Sequence, residues 1–193
     1  MPVFQIREAN KSDASGMAKV RVDTWRATYK GIVPDEFLEN LSCQQLSERW
    51  QKEYWDNRAP GVAVFVAENE RKEIIGFAFC GLEQSNDPVY RGEIQRLYVL
   101  PQYQNRGVGH ELVTACVNHL DHGLKVNTML IWVFAENPNC KFYESLGGKI
   151  AREKTKEIGG RIISMVGYGW EDIQKLAVPG IAGMDHAVGR IKE

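Results

Sequence analysis

The sequence predicts a mixed α/β fold in which β-hairpins lie on both sides of a central strand–helix–strand unit. Three observations carry this expectation. Two β-rich runs, residues 61–68 and Ile74–Leu82, are separated only by Asn69-Glu70-Arg71-Lys72-Glu73, which suits an antiparallel hairpin with a polar turn. Val108, Leu112, Cys116 and Leu120 recur every four residues with Val113 and Val117 alongside, forming one face of an amphipathic helix. Met129–Phe134 is apolar at every position, as expected of a strand covered on both faces.

The remaining elements follow in chain order. Residues 3–9 alternate apolar and polar as a half-buried strand does, and Ser12 or Asp13 then caps a helix carrying Met17, Val20, Val22 and Trp25 until Gly31 and Pro34 interrupt it. A second helical stretch opens at Pro34-Asp35-Glu36, where proline and acids favour a helix start, and carries Phe37, Leu38, Leu41, Leu46, Trp50 and Tyr54. Its length suggests two short helices. Gly92–Val99 is a strand whose apolar residues Ile94, Leu97 and Val99 break period two, so a bulge is expected near Gln95 or Arg96. A short helix over 139–146, a Gly147-Gly148 stop and two strands joined through Gly159-Gly160 complete the pattern.

At 193 residues the chain suits one domain. The pattern weakens after residue 172, which divides the chain into a domain over 1–172 and a C-terminal extension over 173–193. In the extension Ile181, Met184, Val188 and Ile191 are spaced three or four apart, so it is expected to dock as a helix on its own core or on a second subunit, which would make a homodimer. Lys plus Arg number 24 against 25 Asp plus Glu, so no overall charge draws the protein to nucleic acid or an acidic membrane surface. The four cysteines are scattered singly without metal-ligand spacing, and read as buried thiols with no metal. The charged N-terminus and strand-sized apolar runs fit neither a signal peptide nor a membrane helix, so a cytoplasmic protein is expected.

The informative segment is the strand Gly92–Val99, a turn, then Gln104-Asn105-Arg106-Gly107-Val108-Gly109 leading directly into the amphipathic helix. Glycines let the backbone approach a ligand, N–H groups at a helix start lack partners, and the helix dipole favours negative charge. The ligand should therefore carry a pyrophosphate or a similar group. Neither G-x-G-x-x-G nor G-K-[ST] is present, which removes the dinucleotide fingerprint and the nucleotide P-loop.

The segment resembles the Q/R-x-x-G-x-G/A acyl-CoA loop of the GNAT superfamily of acetyl-CoA-dependent N-acetyltransferases. A second family motif, N-x-x-x-x-x-Y followed by a short apolar run and glycine, is matched by Asn137, Phe142-Tyr143, Leu146 and Gly147. The chain departs from it at Pro138-Asn139-Cys140, where many relatives have Arg-Ala and an aliphatic residue. The resemblance runs from about Phe4 to Trp170. It implies a central, mostly antiparallel twisted sheet of about seven strands flanked by helices, whose two parallel strands splay apart at the cofactor cleft.

The resemblance further implies that Gln104, Asn105, Arg106, Gly107, Val108 and Gly109 hold the acetyl-CoA pyrophosphate. Leu97 and Val99 would offer backbone groups to the pantetheine arm, and Asn137 would bond its amides, or cap the following helix, or do both. Tyr143 would donate a proton to the departing thiolate; its alternative is packing in the short helix. Glu93, thirteen residues before Arg106, is either a base for the incoming amine or a solvated strand-edge charge between Arg91 and Arg96. The first helices would border the acceptor site, making Trp25 and Tyr29, with Asp23 and Asp35, candidates for substrate contact unless the aromatics are core. The expected activity is acetyl transfer to a primary amine of a small molecule by direct attack in a ternary complex. The alternatives within the fold are a protein N-acetyltransferase and a non-catalytic acyl-CoA sensor.

Overall fold

The computed structural model describes residues 4–176. Seven strands form one sheet in the order β1-β2-β3-β4-β5-β7-β6. They are β1 (Phe4–Glu8), β2 (Ala63–Asn69), β3 (Ile74–Leu82), β4 (Gly92–Val99), β5 (Met129–Phe134), β6 (Lys149–Ile158) and β7 (Arg161–Trp170). Every neighbouring pair is antiparallel except β4 and β5. That parallel pair holds only two registered positions, Gly92 with Met129 and Glu93 with Leu130, before the strands separate. The expected hairpin, the bulge and the splay implied by the resemblance are all present.

A local cause of the splay sits two residues beyond the last parallel pair. Phe79 faces Arg96 and Cys80 faces Ile94, so Gln95 is the extra residue of a bulge on β4. A bulge bends its own strand and raises its twist, which turns β4 away from β5 while its bonds to β3 continue to Val99. Beyond Glu93 the β4 backbone has no β5 partner.

Helices α1 (Ala14–Thr28), α2 (Asp35–Glu39) and α3 (Cys43–Gln51) precede the central strands, with α3 running on into one π-turn over Lys52–Asp56. The second helical stretch is two helices, as its length suggested, and Ser42 caps the second of them. Asp13 stands at the N-cap of α1, as one of the two expected residues, but makes no side-chain cap there; the capping box belongs to the 3-10 turn Lys11–Asp13 just before it, where the Asn10 side chain accepts the Ser12 N–H and Asp13 bonds back to the Asn10 N–H. Asp13 is instead taken up by Arg7, whose guanidinium also bonds Glu68 and so ties β1, the start of α1 and β2 together.

The core divides by sheet face. Helix α4 (Val108–Asn118) lays Val108, Leu112, Val113, Cys116 and Val117 against Ala78, Cys80, Ile94 and Met129 on one side. On the other, Met17, Val20 and Trp50 from α1 and α3 pack on Val66, Phe77 and Phe79. A third cluster joins Trp25, Tyr29, Val33 and Leu38 to Phe134, Ile158 and Ile163 at the open end of the splay. The short helix α5 (Cys140–Ser145) follows β5. Two cysteines depart from expectation: Cys43 is exposed and Cys140 half-buried, whereas Cys80 and Cys116 are buried.

The packed core continues past the sheet to Ile173 and Leu176, both buried, with the Ile173 N–H bonded to Asn127 O. The apolar series Ile181, Met184, Val188 and Ile191 lies outside the described residues. Among the described residues no helix is long and apolar enough to cross a membrane.

Candidate active site

The gap between β4 and β5 opens into a cavity on each side, each of about 500 Å3. Tyr29, Leu97, Tyr98 and Tyr143 line both cavities, so the two meet across the splay.

The first cavity is bordered by the loop between β4 and α4. Gly107 is the N-cap of α4 with φ of 86°, in the left-handed region that favours glycine, and Asn105 is left-handed as well at 57°. A Cβ built on Gly107 would meet nothing within 4 Å, so the residue is glycine for its backbone angle, not for internal packing. Gly109 differs, because a Cβ there would come within 3.2 Å of the Phe142 ring and push α5 away. The first turn of α4 directs N–H groups that have no intrahelical acceptor toward this end. Such a turn attracts anions.

The predicted cradle residues divide in the structure. Gln104, Asn105, Gly107 and Gly109 line the cavity together with Leu97, Val99 and Asn137. Gln104 Nε2 donates to Val99 O at 3.0 Å, which ties the loop to the end of β4 and takes one lone pair of that carbonyl. Arg106 does not line the cavity; it is exposed, with its guanidinium 5.8 Å from the Tyr103 ring centroid. The Val108 side chain is buried in the core, which leaves its backbone N–H for the cradle. Asn137 is buried and its Oδ1 accepts the Asn139 N–H at 2.9 Å, so the side chain organises the turn into α5 while lining the cavity.

Tyr143 is buried on α5, and burial pushes its phenol well above the usual tyrosine range. It therefore keeps its proton at neutral pH. Tyr29 is raised by the same cause. Glu93 lines only the second cavity. It is half-buried at the root of the splay, so the alternative of a solvated strand-edge charge does not describe it. Burial raises its carboxyl above the ordinary 4.5, helped by repulsion from Glu83 and opposed by Lys154 and Arg96.

Trp25 and Tyr29 are both core and cavity wall. Their rings meet edge to face at 5.1 Å and each contacts Phe134, while both line the second cavity. Trp25 Nε1 donates to Tyr98 Oη at 3.0 Å. Asp23 and Asp35 are not among the residues that line the cavities: Asp23 pairs with Lys19 and Asp35 is exposed at the start of α2. Tyr98, Trp132, Arg21, Tyr54 and Lys154 line the second cavity and are absent from the sequence-level candidates. Tyr98 alone had a signal, since it lies within the strand that leads to the cradle. The others come from elements remote in sequence, so no local pattern unites them.

The sheet is thus opened between two parallel strands, with a helix N-terminus on one side and a cavity lined by ionisable side chains on the other. Residues 60–147 match the acetyltransferase (GNAT) domain family. Over 172 residues the chain is 33% identical to the N-acetyltransferase YuaI of Bacillus subtilis, an alignment covering 89% of this chain and 95% of that protein. The chain belongs to the GNAT N-acetyltransferases. Among solved structures, YncA of Salmonella typhimurium with its cofactor acetyl-CoA superposes with a TM-score of 0.64 at 20% identity, covering 91% of this chain and 97% of that one. A variant of the spermidine N-acetyltransferase SpeG of Vibrio cholerae gives a TM-score of 0.61 at 20% identity, covering 86% and 92%.

Proposed function

We propose that this acetyltransferase moves an acetyl group from acetyl-CoA to a primary amine of a small molecule, by direct attack while both substrates are bound. The observation that carries the proposal is the meeting of two cavities at Tyr143, one beneath the α4 cradle and one beside Glu93. The cradle accepts the pyrophosphate through backbone N–H groups, and the free backbone edge of β4 at Leu97 and Val99 takes the pantetheine arm. The amine enters from the opposite side. That arrangement supports a ternary complex, in which holding the reactants together lowers the entropic part of the barrier.

Each side chain has a task suited to its surroundings. Glu93 faces only the acceptor cavity and takes the amine's proton, directly or through water; its raised pKa brings it nearer the working pH of a base. Tyr143 reaches both cavities and donates to the sulfur as the thiolate leaves. Because burial strengthens the phenol's hold on its proton, full transfer to a thiolate is uphill. Hydrogen-bond donation to the developing charge is then the larger part of its contribution. The test is thiol release from acetyl-CoA with a panel of polyamines, amino acids, aminoglycosides and peptides. Turnover with a small amine supports the proposal. Tight acetyl-CoA binding without thiol release for any acceptor would make the protein a sensor, and turnover confined to peptides would make it a protein acetyltransferase.

A further inference from the structure

The acceptor cavity has a charge imbalance that bears on what enters it. Arg21, Arg96, Lys154 and Lys156 line it against Glu53 and Glu93, so four cations face two carboxylates. Glu53 is already within 3.9 Å of Arg49. Among the described residues neither Arg21 nor Arg96 is in an ion pair. Each is instead held on an aromatic face, Arg21 at 4.7 Å over Trp25 and Arg96 at 5.1 Å over Phe79, with Arg96 Nη1 also donating to Tyr54 Oη at 2.7 Å.

Unsatisfied donors give a second and independent sign. Among the described residues the buried Nε of Arg21 and the buried Nε2 of Gln95, the bulge residue on the same wall, have no acceptor. Buried N–H groups without an acceptor are costly and uncommon in folded proteins. A wall that offers fixed guanidinium groups and spare donors is suited to an oxyanion, because a planar guanidinium matches a carboxylate's geometry. A polyamine would bring several positive charges into the same cationic space. Its binding would meet repulsion from the four cations that Glu53 and Glu93 only partly offset.

We infer that the acceptor is an amine that also carries a carboxylate, an amino-acid-like zwitterion whose anionic end is received by Arg21 and Arg96 while its amine faces Glu93. This rests on the acetyl-transfer function proposed above and narrows it. The chemistry balances as an ordinary acyl transfer from the ammonium form: one proton passes from the nitrogen to Glu93 or water, the amine nitrogen forms a bond to the acetyl carbon, the carbon–sulfur bond breaks, and the second proton lost by the nitrogen is matched by one that reaches the sulfur, with one proton released overall.

The experiment compares matched acceptors on the wild-type protein by thiol release from acetyl-CoA: amino acids, their carboxamides, their aminophosphonate analogues, and spermidine. The carboxylates should exceed their carboxamides by roughly 10- to 100-fold in kcat/KM, the range expected for losing charge-assisted hydrogen bonds. Arg96→Gln and Arg21→Gln should collapse that ratio toward one by raising the acceptor KM, with the acetyl-CoA KM unchanged. A carboxamide or spermidine turned over as fast as the carboxylate overturns the inference while leaving acetyl transfer intact, and so does an aminophosphonate preferred over the carboxylate. No thiol release with any amine overturns both. The wild-type comparison stands even if either arginine variant fails to fold.

Discussion

On the α4 side of the gap between β4 and β5, the features proposed to meet a ligand are backbone: the left-handed Gly107, the first N–H groups of the helix and the free edge of β4. On the other side the wall is made of side chains from α1, the turn after α3, β4, β5, β6 and β7. The first side has no lysine or arginine among its lining residues, whereas the second has four. A shared phosphate-bearing cosubstrate can be held by groups every residue possesses, provided the chain takes the right path. Choosing one acceptor needs particular side chains. The two walls therefore tolerate substitution differently: the first is sensitive to backbone angle, the second to chemical identity.

The residue where the walls meet should show the largest effect. Tyr143→Phe keeps the ring and its stacking on Tyr168 at 5.5 Å but removes the donor. Single-turnover rates should fall by roughly 10²–10³-fold while acetyl-CoA affinity is kept. A wild-type single-turnover rate would make the tyrosine structural and dissolve the division of labour between the cavities.

Gly107→Val tests the backbone wall. The new side chain would point into open space at a φ of 86°, so the protein should fold. The left-handed angle and the blocked approach should still weaken CoA binding by about tenfold or more. Calorimetry showing unchanged affinity in a folded variant would remove the cradle from the site.

Glu93→Gln separates the walls by pH. A base works in its ionised form, so in the wild type the rate should fall as pH drops through the carboxyl's raised pKa, above the ordinary 4.5. The variant should lose that limb, run about tenfold slower near neutrality, and recover as rising pH deprotonates the free amine. A variant whose pH profile overlays the wild type would leave water as the base.

The smallest effect is expected for Trp25→Phe, which keeps an aromatic ring in the third core cluster but breaks the bond to Tyr98 Oη. The acceptor KM should rise by about two- to fivefold with the acetyl-CoA KM steady. Equal changes in both constants, at normal thermal stability, would mean that the two cavities are coupled through Tyr98.

The sequence by itself determined the elements and the glycine-bearing turn into α4, because both are written in neighbouring residues. The four-residue repeat from Val108 to Leu120 makes an amphipathic helix whatever lies around it, and most of that face is buried in α4. The broken alternation of Gly92–Val99 signalled the bulge at Gln95, and Gly107 and Gly109 marked the turn into the helix and its first turn, the place proposed for an anion. Their separate tasks were not legible: only packing shows that Gly109 makes room for Phe142 while Gly107 holds a left-handed turn. The acceptor wall was decided by tertiary structure alone. Arg21 and Arg96 are seventy-five positions apart and Lys154 lies further still, so no spacing in the chain announces that they share a cavity. The bend of β4 away from β5, and the packing of α1 across that opening, bring them to one place.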